Sequence, residues 1–518
     1  MTSQTAPTYD EFPYDGYAYW FTHPDHLWVM ATARGLQPAA PDHARILELG
    51  CGDGGNLLSL ATLLPSAELV GLDLSQIHIG RAQAAADHCG ITNVRLLQAD
   101  LSDTPADLGS FDYIIAHGVY SWIPLPIRDR LMAVIARHLA PDGVALVSYN
   151  AFPGQHDLEP VRELMRLHVG PIADPMAKVR QARNIARLWT SHMKQREAEH
   201  RGAVAGRLET LVEQSSDQIL RHDWLSENES PLLFSDFCDH AARFGLAWLD
   251  NALPASQRIE NCDDEARAML AALPRGVRQQ QYLDCFENTR FRVSLLAHAT
   301  RVAEVDANAG AHDVPAVSGF RLDAMADLFV ESRLEVDVWS PESRFRPAVL
   351  LETPSGFIEV SGPPLRIALS TLYHHRPHAI ALSDLFEEVV SQLQIENQDG
   401  GLADTDEGRA QLFGLLLTEL VGFWTRELVH FWRTPPTLAS PRRIPQKPVA
   451  PPLQRYLATR SRFLPSLTHR HCELDPERLQ LIAALDGTAD HEALTARFGP
   501  HTERYLEALV AQGLVSPS

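Results

Sequence analysis

The stretch Arg45-Ile-Leu-Glu-Leu-Gly-Cys-Gly-Asp-Gly-Gly-Asn56 decides how the rest of the chain is read. Ile46, Leu47 and Leu49 make a short apolar run stopped by glycine, the pattern of a buried parallel strand. Gly50, Gly52, Gly54 and Gly55 follow, and Asn56 opens a run with apolar residues at helical spacing. Strand, glycine-rich turn and helix form the opening of a nucleotide-type crevice. Glycines let the backbone approach a ligand closely, and the helix N-terminus offers unpaired N–H groups. Alone, such a loop is weak evidence, because most glycine runs are ordinary turns.

Acids at the strand ends make the reading specific. Glu48 sits inside the first strand, where a nicotinamide-binding fold more often carries an apolar residue. Leu69-Val-Gly-Leu-Asp73 is an apolar strand closing on an aspartate about twenty residues after the loop, placed to take both hydroxyls of a ribose. Asn93 to Asp100 is another strand ending in an acid, suited to an adenine amino group, and Phe111-Asp-Tyr-Ile-Ile-Ala-His117 is a fourth that enters a loop. Together these resemble the class I S-adenosylmethionine (SAM)-dependent methyltransferases: motif I at Glu48 to Gly54, motif II ending at Asp73, motif III at Asp100, motif IV from Phe111 to Tyr120. The resemblance implies SAM as cofactor and S-adenosylhomocysteine as product. It places Glu48, Gly50, Cys51, Gly52, Gly54 and Asn56 against the cofactor, with Cys51 as a small filler. Asp73, Leu74, Asp100, Leu101 and His117 complete that set.

Composition bounds the rest. A chain of 518 residues implies two to four domains, and 45% hydrophobic with 21% charged residues is the balance of a soluble globular protein. No apolar stretch approaches a bilayer span, and the first residues lack the basic and apolar regions of a signal peptide. Six cysteines, at 51, 89, 238, 262, 285 and 472, form no C-x-x-C pair, which argues against a metal site or disulfide framework and for a reducing cytoplasm. A net charge of −21 disfavours nonspecific nucleic-acid or membrane binding and favours a basic partner.

The expected architecture is α/β: a Rossmann-like class I methyltransferase sheet with a helical insertion, plus C-terminal α+β winged-helix-like domains. Residues 1–44 read as an N-terminal aromatic flap that lies over the cofactor or on the outer face of the sheet. Tyr14 and His23 are its candidates for cofactor contact, and Thr22 or His23 is placed to cap the helix begun by Pro24. Residues 45–154 read as the SAM-binding core, with strands at 45–49, 68–73, 93–98, 111–116 and 143–149 and helices at 55–64, 75–88 and 126–139. Residues 155–228 read as the insertion, and 229–300 as the closing strands Leu246–Leu249 and Phe291–His298; a separate helical domain over 157–300 is the competing reading. A regulatory middle α+β domain spans 301–434, with strands at 329–338 and 348–360, then a Pro-rich linker at 435–452. The winged-helix-like module, 453–518, ends in a strand.

Two loops narrow the resemblance. Ala116-His-Gly-Val-Tyr-Ser-Trp-Ile-Pro124 and Ser148-Tyr-Asn-Ala-Phe-Pro-Gly154 are similar to bacterial methyltransferases that carry a methyltransferase regulatory domain. That family includes rickettsial protein-lysine methyltransferases that modify an outer-membrane surface protein. Phe21-Thr-His-Pro24, His222-Asp-Trp-Leu-Ser-Glu-Asn and the stretch from Gln281 to Arg292 agree with it, and residues 340–450 agree least. The resemblance implies N-methylation of protein lysine side chains. The alternative is a small-molecule O- or N-methyltransferase with the insertion as its lid, and the third reading is a regulatory protein that binds SAM as an effector.

Lysine has an ordinary pKa of about 10.4, so a methyl-accepting pocket must strip its proton. An aromatic, carbonyl-rich mouth suits that task, and Tyr120, Ser121, Trp122, Tyr149 and Asn150 are its expected members, with Tyr120 at the reacting position. His117 reads equally as a general base or as a histidine that orients its loop. The winged-helix-like module invites a nucleic-acid reading, and residues 440–470 hold seven basic residues and no acid. The module beyond them is acidic, so protein contact or a homodimer is favoured over nucleic acid, and no membrane partner is expected.

Overall fold

A computed structural model describes residues 16–517 apart from 106, 197–207, 214, 216, 227–228, 310–315, 318, 341, 344–345, 354–355, 396–403 and 442. Its centre is a seven-stranded sheet. The strands are β1 (Arg45–Leu49), β2 (Glu68–Asp73), β3 (Val94–Gln98), β4 (Phe111–Ala116), β5 (Leu139–Asn150), β6 (Leu246–Asn251) and β7 (Phe291–His298). Their order is β3-β2-β1-β4-β5-β7-β6. β1 to β5 run parallel, and β7 is antiparallel to both of its neighbours.

Alternation along each central strand divides the core. Ile46, Tyr113, Ile115 and Leu146 face one side, where α1 (Pro24–Ala33) and α2 (Gly55–Leu63) pack. Leu47, Leu49, Ile114 and Val147 face the other, against the helix Phe234–Ala242 and α4 (Leu125–His138); α3 (Gln76–Cys89) links β2 to β3. Burial on both faces is why these strands read as continuous apolar runs. Between Asp100 and Phe111 the crossover is irregular, with a 3-10 turn at Leu101–Asp103 among its described residues. Because β6 and β7 join the main sheet, residues 157–300 are not a separate helical domain.

The insertion after β5 carries helices Glu159–Val169 and Pro175–Arg196 and ends in a π-helical turn, Leu220–Trp224. Val161, Met165, Val179, Ala186, Leu220 and Trp224 give it a small core of its own. It is tied down at its base, where Arg162 pairs with Glu229 and Glu229 accepts from Asn150 Nδ2 at 2.8 Å.

The middle region builds a three-stranded antiparallel sheet from Ile380–Ala381, Phe329–Ser332 and Val429–Trp432, beside a hairpin, Ala348–Thr353 with Gly356–Ser361. Three helices, Pro363–His375, Leu382–Ile395 and Asp406–Trp424, cover it, and their core is continuous with that under α1. The strand expected over 329–338 stops at Ser332, where the chain turns away. Asp25, in the first turn of α1, accepts from the backbone N–H groups of Arg433 and Thr434 at 2.9 Å each.

The C-terminal module has its own core. A helix, Pro452–Leu457, precedes a hairpin of Phe463–Pro465 and His471–Glu473, and three helices follow, Pro476–Ala484, His491–Phe498 and Thr502–Ala511. The strand expected at the chain's end does not form. Leu514 and Val515 are buried there as core residues, and the hairpin stands ahead of the three helices instead. Among the described residues, no helix is long and apolar enough to cross a membrane.

Candidate active site

The carboxyl ends of the parallel strands surround a cavity of ≈ 470 Å³. The glycine loop forms its floor. Gly50, Gly52 and Gly54 have φ of +75°, +54° and +83°, the left-handed region that glycine enters without strain. A Cβ at Gly50 would collide with Val119, so the loop after β4 lies directly on the glycine loop. A Cβ at Gly55 would collide with the backbone of Gly16, whose N–H donates to Asp53 Oδ1 at 2.9 Å. The N-terminal segment is thereby laid across the loop, and Tyr17 and Tyr19 reach the cavity wall. Tyr14 lies outside the described residues.

Acids from three strands line the cavity. Asp73, at the end of β2, accepts from Gly52 N at 2.9 Å and from Ser75 N at 2.8 Å, and the latter helps open α3. Asp100 both borders the cavity and caps the turn after β3, accepting from Ser102 N at 2.8 Å. Leu74, Leu101, Ile123 and Ile127 supply apolar wall between and beyond these acids. Glu48 accepts from Asn56 Nδ2 at 3.1 Å through one oxygen, while its Oε2 is buried without a hydrogen-bond partner among the described residues. Burial pushes the Glu48 carboxyl up to about 8, and the nearby Asp73 charge adds to the rise. Cys51 borders the cavity as a buried thiol pushed well above its ordinary range.

SAM fits this arrangement. Its ammonium would supply the donor that Glu48 Oε2 lacks, and a buried acceptor left unsatisfied is costly. Asp73 and Asp100 stand where ribose hydroxyls and an adenine amino group would meet them, and the wall between them is apolar. Among the described residues no group of His, Cys, Asp and Glu is arranged to hold a metal ion.

The expected acceptor mouth divides in two. Trp122, Asn150 and His117 line the cavity. Tyr120 and Tyr149 do not: they face the opposite side of the sheet and are almost fully buried. Tyr120 Oη bonds His240 Nδ1 at 2.6 Å, and His240 Nε2 bonds Asp129 Oδ1 at 2.8 Å. Tyr149 Oη bonds Ser294 Oγ at 3.0 Å, with its ring stacked on Phe237. The reason is strand alternation: Tyr149 precedes Asn150 by one residue, so only one of the two side chains can point into the cavity. Ser121 is also turned inward, its Oγ accepting from Asn150 N at 2.7 Å, and Ser148 Oγ accepts from Gly118 N at 2.8 Å. These two serines staple the loop after β4 to the end of β5.

His117 packs against Tyr19, Phe21 and Phe291, with ring centroids 4.2, 5.2 and 6.1 Å away. Burial pushes its imidazole down to about 4, so at neutral pH it is an uncharged member of an aromatic wall. His23 lies outside the cavity: it caps α1, its Nδ1 accepting from Asp25 N at 3.1 Å, and it packs on Trp432 and His469. Sequence reasoning missed His222 and Asp223, which the insertion brings into the cavity wall, and Phe291 at the start of β7. All three sit in stretches that carry the family resemblance, which was the available signal.

Comparison with known proteins accords with this geometry. The family described as "Methyltransferase domain" matches residues 46–143, and that described as "Predicted methyltransferase regulatory domain" matches 216–298. The chain belongs to the SAM-dependent methyltransferases with a methyltransferase regulatory domain. An uncharacterised protein of Rickettsia prowazekii is 35% identical to this methyltransferase over 293 residues, 56% of this chain and 52% of that protein, so the match spans about half of the relative's length. A second from the same organism is 30% identical over 236 residues, 46% of this chain and 94% of that protein. The structure of PKMT2 from Rickettsia typhi in complex with AdoHcy superposes with a TM-score of 0.80 at 21% identity, over 97% of this methyltransferase and all of that chain. The fold is therefore shared from the flap to the C-terminal module.

Proposed function

We propose that this methyltransferase N-methylates lysine side chains of protein substrates. The observation that carries the reading is the chemistry of the cavity wall formed by Asn150, Asp223, Trp122, Tyr19 and Phe291. Asn150 donates one amide N–H to Glu229 and lines the cavity, and its carbonyl oxygen is the acceptor it can offer there. Asp223 adds a carboxylate, and the aromatic rings suit an uncharged hydrocarbon stem. A wall of acceptors and rings matches an amine, whose N–H groups need acceptors. When bound, SAM supplies an electrophilic methyl on a sulfonium. The work left to the chain is to align the acceptor nitrogen and hold it unprotonated. The six cysteines are all thiols, in keeping with a cytoplasmic setting.

A small-molecule acceptor is the second reading, favoured by one feature: the insertion contributes His222 and Asp223 to the cavity, as a lid would. A labelled-methyl assay with cell lysate separates the two. Label in a discrete protein band, lost with Asp73→Ala and mapped to lysine by mass spectrometry, is the expected result. Label confined to small molecules would overturn the protein reading in favour of the second.

A further inference from the structure

Asp223 lies in the π-helical turn Leu220–Trp224, and both ends of that turn, Leu220 and Trp224, are buried in the core of the insertion. That anchorage turns His222 and Asp223 toward the cavity. The Asp223 carbonyl accepts from Arg162 Nη2 at 2.9 Å, and Arg162 is itself held by Glu229, so the turn is fixed to the sheet through the partner of Asn150. The Asp223 carboxylate is different. No hydrogen-bond donor among the described residues reaches it, although it is largely enclosed by protein. The charged or titratable groups that act on it are Arg162 from the insertion and Tyr19 from the flap, while Glu48, Asp73, Asp100 and His117 from the sheet and its neighbour His222 line the same cavity. Arg162, its charge already shared with Glu229, is the one cation among them. Burial pushes the Asp223 carboxyl up to about 7, and the Tyr19 hydroxyl, which feels the Asp223 charge, is pushed well above its ordinary range.

A half-buried carboxylate with no donor among the described residues, set in a wall of Tyr19, Trp122 and Phe291, is a site for a cation on an apolar stem. Building on the lysine reading, we infer that Asp223 receives the acceptor amine, holding its ammonium on arrival and taking the proton that must leave before methyl transfer. An N–H bond of the ammonium breaks, an O–H bond forms on the carboxylate, and the freed pair stays on nitrogen. The Asn150 carbonyl takes a remaining N–H and fixes the direction of that lone pair. After transfer the nitrogen is cationic again, and the proton on Asp223 passes to water. A carboxylate whose affinity for protons lies near neutrality can both accept and release one at working pH.

The test uses the full chain saturated with S-adenosylhomocysteine, with n-pentylammonium as a probe of the lysine side chain and 1-pentanol as its uncharged counterpart, titrated by NMR. The chain is expected to prefer pentylammonium. Asp223→Asn is expected to weaken that binding by about ten- to a hundredfold while the affinity for S-adenosylhomocysteine, read by calorimetry, stays within about twofold. Asp223→Glu should retain most of the amine preference. Equal amine binding in the chain and in Asp223→Asn would overturn the inference and leave the lysine reading standing. No preference for the amine in the unaltered chain would sink the lysine reading itself. A tenfold loss of S-adenosylhomocysteine affinity in Asp223→Asn would reassign the carboxylate to the cofactor's own ammonium. Failure of both variants to fold would assign it to the architecture.

Discussion

His469, in the hairpin of the C-terminal module, bonds Asn56 Oδ1 through Nε2 at 2.9 Å, across 413 residues of sequence. Its other nitrogen bonds Ser59 Oγ at 2.9 Å. Burial holds the ring far below its ordinary titration range, so it is neutral: Nε2 carries the proton, and Nδ1 accepts from the serine. Asn56 in turn donates to Glu48, the carboxylate beneath the cofactor cavity. The C-terminal module is thus part of the support of the cofactor site.

His469→Ala should therefore weaken SAM binding. Removing one partner of a buried hydrogen bond costs about 1–3 kcal/mol, which corresponds to roughly ten- to a hundredfold in affinity if the whole loss falls on the site. Calorimetry with S-adenosylhomocysteine reads the change. An unaltered dissociation constant would show that the relay from His469 to Glu48 carries nothing to the cofactor.

Glu48 makes cofactor affinity depend on pH. With its carboxyl near 8, the free protein holds Glu48 mostly protonated at pH 7, whereas an ammonium beside it favours the ionised form. Binding then releases a proton, and affinity rises with pH up to about 8, by at most about tenfold per unit. Glu48→Gln should flatten that slope. Titrations in buffers of different ionisation enthalpy count the released proton directly.

Asp284 and Arg292 form a fully buried ion pair at 2.8 Å, with the guanidinium also donating to Asn251 and Gln280. Asp284→Ala would strand that charge beside β7. A loss of about 3–5 kcal/mol in folding stability is expected, measurable by denaturant unfolding.

Tyr120→Phe should leave kcat within about twofold, since the hydroxyl meets His240 and not the cavity, and cost about 1 kcal/mol of stability for the lost hydrogen bond. Trp122→Ala, on the cavity side of the same loop, should raise KM for the acceptor. A large fall in kcat for Tyr120→Phe would return Tyr120 to the reacting position.

The sheet was legible because each parallel strand carries its own apolar run, closed by glycine or acid in β1, β2 and β3, and such runs need no tertiary information. The cofactor side was legible for the same reason: Glu48, Asp73 and Asp100 sit at strand ends, where topology alone fixes their place. The acceptor side was not. Whether Tyr149 or Asn150 points into the cavity turns on a register of one residue, which aromatic composition cannot supply. Asp223 reaches the site only through the packing of a helical insertion, and His469 only through docking of the C-terminal hairpin. Neither contact has a local pattern. The stretch from Gln281 to Arg292 stood out by resemblance, yet its physical meaning, the pair of Asp284 with Arg292, needed the fold.

The chain of contacts from Arg162 through Glu229 to Asn150 has a consequence for what can be modified. A wall held to the end of β5 by a buried ion pair does not swing aside cheaply, since opening would expose one charge without the other. The mouth is then an aperture of set size. A folded surface cannot bend into such an aperture, but an extended segment can thread a single side chain through it. On the proposed lysine reading, selection would follow the local slack of the target backbone, and unstructured tails and newly made or partly unfolded chains would be modified ahead of compact ones.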